Sequence, residues 1–136
     1  MYKKIIVPVE MGQLEKGAKI LAKARTLLDG GGEIVLMNVT ESVPSYIAME
    51  MPLDFLNQSI KDAEAKLAEL NAKHGGHART KVVVGSPARE ILNVAEEEHA
   101  DLIVIGSHRP DFYNYLIGAT ADRVVRHATC SVLVDR

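Results

Sequence analysis

The hydrophobic positions form short continuous runs separated by longer stretches in which apolar residues recur every three or four places. "KKIIVPV" (3–9) is a continuous run, the pattern of a strand covered on both faces. Leu14, Ala18, Leu21, Ala24 and Leu28 follow at helical spacing and predict a helix over 13–29. "DGGG" (29–32) stops it, because glycine takes the left-handed conformation that helix ends favour. "EIVLMNV" (33–39) is a second buried strand, and the fifteen residues "TESVPSYIAMEMPLD" (40–54), with two prolines and no period, read as loop. Leu56, Ile60, Ala63, Leu67 and Leu70 mark a long helix closed by "HGG". "TKVVV" (80–84) is the third strand, and "GSPAREIL" opens a short helix. There Ser86 is placed to cap the free amides and Pro87 to take the first helical position. "DLIVI" (101–105) is the fourth strand. Ile117, Ala121, Val124, Val125 and Ala128 define the last helix, and "SVLVD" (131–135) the fifth strand.

Five strands joined by four helical crossovers predict an α/β fold, a parallel sheet with helices on both faces and one domain over 1–136. Ligands of such sheets bind beyond the carboxyl ends of the strands, where strand order reverses. Three segments therefore border a candidate crevice: "PVEMG" (8–12), "NVTE" (38–41) and "GSHRPDFYNYLIGAT" (106–120).

Composition narrows the function. A hydrophobic fraction of 47% and a charged fraction of 25% suit a soluble globular chain. The net charge of −2, without a basic run, speaks against a nucleic-acid partner. A lone cysteine, Cys130, rules out an internal disulfide and fits a reducing cytoplasm. The opening run is too short for a signal peptide, and nothing approaches the roughly 20 apolar residues of a membrane helix. A cytoplasmic protein without membrane insertion is expected. No GxxxxGK[ST] or GxSxG motif is present, and the "GGG" at 30–32 follows a helix, the reverse of a dinucleotide fingerprint. The histidines (74, 77, 99, 108 and 127) are scattered, so neither a metal site of protein ligands nor a dedicated catalytic residue is expected.

The stretch after the fourth strand carries the remaining chemistry. Gly106 allows the backbone to turn close to a ligand. Gly118, Ala119 and Thr120 open a helix, whose unpaired amides and dipole attract an anion, and Thr120 adds a hydroxyl. The same glycines would also serve a plain surface crossover.

"KKIIVPVE", "GSPAREIL", "ADLIVIGSHR" and "VVRHATCSVLVDR" resemble the universal stress protein family over essentially the whole chain, near its small bacterial F- and G-type members. The resemblance implies a Rossmann-like sheet of the adenine nucleotide alpha hydrolase kind, with strand order 3-2-1-4-5. It implies a stress-response protein that binds an adenine nucleotide, with ATP expected and Mg²⁺ an open question. Slow hydrolysis or autophosphorylation, seen in some members, stays open too. ATP-binding members carry G-x2-G-x9-G-[ST] after strand four. Gly106 matches the first glycine, Arg109 replaces the second, eight residues (110–117) precede Gly118, and Ala119 stands where Ser or Thr is usual, with Thr120 one step later. By the same resemblance Pro8 and Val9 flank the base, Glu10 stands for the family's Asp, and Val39 meets adenine through its backbone. Phosphates would lie over Gly106, Gly118, Ala119 and Thr120, with Ser107, His108 and Arg109 in the same stretch. Family members commonly form homodimers through the last strand, here 131–136. The departures in the motif leave a rival function, a dimeric interaction module whose nucleotide site has decayed.

Individual residues keep two readings. Glu10 either accepts a ribose hydroxyl or holds Mg²⁺ through water, or it is a solvated carboxylate. Arg109 either forks onto phosphate or faces solvent; His108 is a phosphate donor or a surface loop residue. Phe112, Tyr113 and Tyr115 pin the crossover or meet a partner, and Met49 and Met51 are loop residues or part of a lid. Cys130 is expected to be a buried thiol without redox duty, and "EEEH" (96–99) a solvated helix end.

Overall fold

The first apolar run becomes the central strand of a parallel sheet. The structure is a computed structural model that describes residues 1–41, 53–107 and 118–136. Its strands are β1 (Tyr2–Pro8), β2 (Leu28–Glu41), β3 (Arg79–Gly85), β4 (Leu102–Gly106) and β5 (Ser131–Asp135). They pair in the order β3-β2-β1-β4-β5, all parallel. The helices are α1 (Leu14–Leu27), α2 (Leu53–Lys73), α3 (Pro87–Glu97) and α4 (Ala119–His127), and a 3-10 turn, Met11–Gln13, links β1 to α1.

Continuous apolar strands are explained by two cores. Alternate residues of each strand point to opposite faces. Ile5, Val7, Ile34, Leu36, Leu102 and Val104 pack with Ile20, Leu21 and Ala24 of α1 and with Leu67 and Leu70 of α2. Ile6, Val35, Met37, Ile103 and Ile105 pack instead with Ile91 and Val94 of α3 and with Ala121 and Val124 of α4. Each fully buried aliphatic side chain contributes about 1.5–3 kcal/mol, so both faces hold the sheet.

Several expectations need correction. First, "DGGG" does not cap α1, which ends at Leu27 and passes directly into an extended Leu28. β2 instead pairs Leu28 with Tyr2 and Glu33 with Lys4, so it advances five residues while β1 advances two. The surplus is a bulge, and glycine suits it. Gly31 has φ +82, and a Cβ on Gly32 would meet the Lys3 carbonyl oxygen at 2.9 Å. Thr40, Glu41, Leu53 and Asp54, expected in the loop, belong to β2 and α2. Second, Ser86 occupies the N-cap of α3 without a side-chain cap bond, although Pro87 does begin the helix.

Third, "EEEH" is not wholly solvated. Glu98 lies just beyond α3, and its side chain is only 15% exposed. Its carboxylate accepts Arg79 of β3 at 2.5 Å and Lys4 of β1 at 3.3 Å. Both cations also hold Glu33 of β2, each at 2.7 Å, which closes a four-membered ring of charges. The Arg79 hydrogen bond, outweighing burial and helped by Lys4, holds the Glu98 carboxyl at about 2 against the usual 4.5. Lys4, and then Arg79, lower Glu33 in the same direction.

The approach of α1 to the sheet is unusually close. A Cβ added to the buried Gly17 would stand 2.6 Å from Val9 Cγ1 and 3.1 Å from Cγ2. Alanine would gain about 1 kcal/mol of helix propensity there, but overpacking typically costs about 1–3 kcal/mol. Gly17→Ala should therefore lower the urea midpoint. In a Val9→Ala background, where the conflict is gone, the same change should raise it. A higher midpoint for Gly17→Ala alone would refute the packing argument.

The charge ring sets an acid dependence. A carboxyl depressed in the folded state contributes fully above its unfolded pKa and loses that contribution as pH falls through the folded value. Wild-type stability should decline from about pH 4.5 towards about 2. Glu98→Gln should be less stable at neutral pH, decline less steeply, and converge with wild type in strong acid. Urea titrations across that range check this, and parallel curves would remove Glu98 from the acid response.

Candidate functional site

β1 lies between β2 and β4, so the chain's crossovers diverge beside it, and the carboxyl ends of these three strands border an opening. A cleft of about 470 Å³ lies there. The sequence placed the crevice at these same strand ends. Pro8, Val9, Glu10, Val39, Gly106, Ser107 and Thr120 all line it.

At the first strand end, the backbone of Val9 is committed within the protein. Its amide donates to the Met37 carbonyl at 2.8 Å, and its carbonyl accepts Asn38 Nδ2 at 2.8 Å. The Val9 side chain is buried against α1, so its polar groups serve the platform. Glu10 is exposed and extended, and its carbonyl accepts the Gln13 amide at 3.0 Å to start the 3-10 turn. Chain direction thus changes at the site's acidic residue.

At the fourth strand end, Gly106 answers to α1. A Cβ on Gly106 would meet Ile20 Cδ1 at 2.9 Å and Lys16 Cε at 3.1 Å. The glycine leaves room for these two side chains to cross the strand end. Ser107 is buried, donates its amide to the Asp135 carbonyl at 2.8 Å, and accepts the Lys16 ammonium on its own carbonyl. Lys16 also lines the cleft.

Gly118 is the N-cap of α4, with extended backbone, and its carbonyl accepts the Asp122 amide at 2.9 Å. Gly118 is buried and Ala119 exposed, and neither lines the cleft wall, whereas Thr120 does. His108, Arg109, Phe112, Tyr113, Tyr115, Met49 and Met51 lie outside the described residues.

Lys16 is a cleft residue that sequence reasoning missed, and Asn38, inside the expected "NVTE" segment, was given no role of its own. Asn38 interrupts a buried strand, is 6% exposed, and has no described partner for its Oδ1. A polar residue inside "EIVLMNV" was a usable signal, since buried polar groups are rarely idle. Lys16 was hidden by the helical stripe drawn through Leu14, Ala18 and Leu21. Ile20 is also buried, and Lys16 lies one turn before it on the same face.

The arrangement supplies hydrogen-bonding groups, an apolar wall and one ammonium, which suits binding. Among the described residues, no group of three His, Cys, Asp or Glu side chains is placed to hold a metal. No described helix is long and apolar enough to cross a membrane. Cys130 is half-buried against the second core, away from the cleft, and burial pushes its thiol up.

The universal stress protein family matches residues 1–136. Universal stress protein G of Salmonella typhimurium is 34% identical over 143 residues, with all of both chains covered. Among solved structures, hypothetical protein MJ0577 superimposes with a TM-score of 0.82 at 25% identity, covering 99% of this chain and 96% of the other. The universal stress protein from Archaeoglobus fulgidus in complex with dAMP shares the fold, with a TM-score of 0.67 at 19% identity and coverage of 99% and 98%. The sheet order, the strand-end cleft and the full-length match agree: the chain belongs to the universal stress protein family.

Proposed function

We propose that this chain is a cytoplasmic stress-response protein that binds an adenine nucleotide, ATP being the expected one, and acts through binding. The observation that carries the reading is the cleft at the carboxyl ends of β1, β2 and β4, whose walls contain the strand-end residues assigned to a nucleotide. Its volume of about 470 Å³ falls in the usual range for small-molecule sites, roughly 300–1,000 Å³. The dAMP held by the Archaeoglobus relative supports the ligand class. In this reading Pro8, Val9 and the Val39 backbone receive the base, and Glu10 receives the ribose or holds Mg²⁺ through water. Ser107, His108, Arg109 and Thr120 meet the phosphates, and the amides of Gly118 and Ala119 contribute through the α4 amino terminus.

Titration of nucleotide-stripped protein with ATP and adenosine tests the reading. Thr120→Val keeps the shape and removes the hydroxyl. It should weaken ATP by about tenfold or more and spare adenosine, since hydrogen bonds to charged groups contribute about 1.5–3 kcal/mol. Absence of ATP binding in the wild type would favour the rival function, an interaction module with a decayed site. The specific support for that rival is Arg109 and Ala119 standing where the motif has glycine and a hydroxyl.

The partner expected in either case is a second copy. β5 is an edge strand whose outer side carries no described neighbour, and Val132, Leu133 and Val134 are only half-buried. Pairing through 131–136 predicts a dimer in sedimentation equilibrium and concentration-dependent protection of β5 amides from hydrogen exchange. A monomer at all concentrations, or a dimer without that protection, would count against it.

A further inference from the structure

We infer that Lys16 supplies the described cleft's positive charge for selecting phosphorylated over unphosphorylated ligands, beside the hydroxyl of Thr120, an inference that rests on the adenine-nucleotide reading. Three charged side chains line the described cleft: Glu10, Glu41 and Lys16. The two glutamates stand beyond β1 and at the end of β2, while Lys16 reaches across the end of β4. Without Lys16, the charged side chains described on these walls would both be negative. With it, a molecule carrying a neutral end and an anionic end has one favourable orientation, its charge towards β4.

The lysine is held for this task. Its stem passes over Gly106, where an added Cβ would crowd its Cε at 3.1 Å. Its ammonium donates to the Ser107 carbonyl rather than to a carboxylate, so its charge is not cancelled by a described acid. An ammonium has three donors, and that bond uses one. Two remain for phosphate oxygens, beside the half-buried Thr120 on the same cleft wall. Half-burial of Lys16 itself strengthens such contacts relative to open water. Nothing in the nucleotide motif includes this position, which enters the cleft from α1.

Calorimetric titration with AMP and adenosine distinguishes the possibilities, using wild type, Lys16→Met, Lys16→Gln and Lys16→Arg. Lys16→Gln keeps a donor for the Ser107 carbonyl but has no charge, so it separates selection from mere support of the strand end. Lys16→Met and Lys16→Gln should each weaken AMP by about ten- to a hundredfold and leave adenosine unchanged, while Lys16→Arg keeps most of the AMP affinity. Unchanged adenosine binding also certifies an intact cleft in each variant. Equal losses for the two ligands, or full AMP affinity in Lys16→Gln, would overturn the assignment while leaving the nucleotide reading standing. Wild type binding neither of these ligands nor ATP would overturn that reading, and this inference with it.

Discussion

The closeness of α1 to the sheet is the constraint on which the site depends. Two glycines, one on the helix and one on the sheet, allow it: Gly17 admits the Val9 side chain, and Gly106 admits Ile20 and Lys16. A helix held farther out would leave Val9 less well buried and carry Lys16 away from the Ser107 carbonyl. The cleft's first wall and its single described cation therefore follow from the same packing distance. Small residues here set a geometry, as they do wherever two backbones must approach.

The backbone at the floor of the cleft is largely spoken for. Val9 is bonded to Met37 and Asn38, and Ser107 to Asp135 and Lys16. Such cross-ties fix neighbouring strand ends relative to one another, which a binding site needs if its contacts are to be made without reordering. They also shift the expected recognition at Ser107 away from its amide and carbonyl. Among the described lining groups, the side chains of Asn38 and Thr120 keep polar atoms outside these backbone ties.

The middle of the sheet was legible because β1, β2 and β4 are buried on both faces, and burial writes itself into sequence as continuous apolar runs. Ile5, Ile6 and Val7 needed no tertiary information to be assigned. The order of strands came through the family resemblance, carried by short pieces such as "ADLIVIGSHR", since hydrophobicity alone does not say which strands are neighbours. Glycines were harder. A glycine run after a helix has the same letters whether it caps the helix or bulges a strand, and Gly31 and Gly32 do the second. Charged residues were harder still. Glu98 and Lys16 sit among polar neighbours, and only the folded chain brings Arg79 to one and the end of β4 to the other. Long-range electrostatic partners leave no periodic trace.

The ring of Lys4, Glu33, Arg79 and Glu98 ties three adjacent strands together at the end of the sheet away from the cleft. Partly exposed ion pairs add little to total stability, but opposite charges at matched positions discriminate between registers, and a one-residue slip would mispair them. Alignment of β1, β2 and β3 is thereby specified from the non-binding end. Connections on the cleft side are relieved of that duty, so a changed side chain there leaves the alignment of these three strands specified. The sheet thus carries its alignment marks at one end and its cleft at the other.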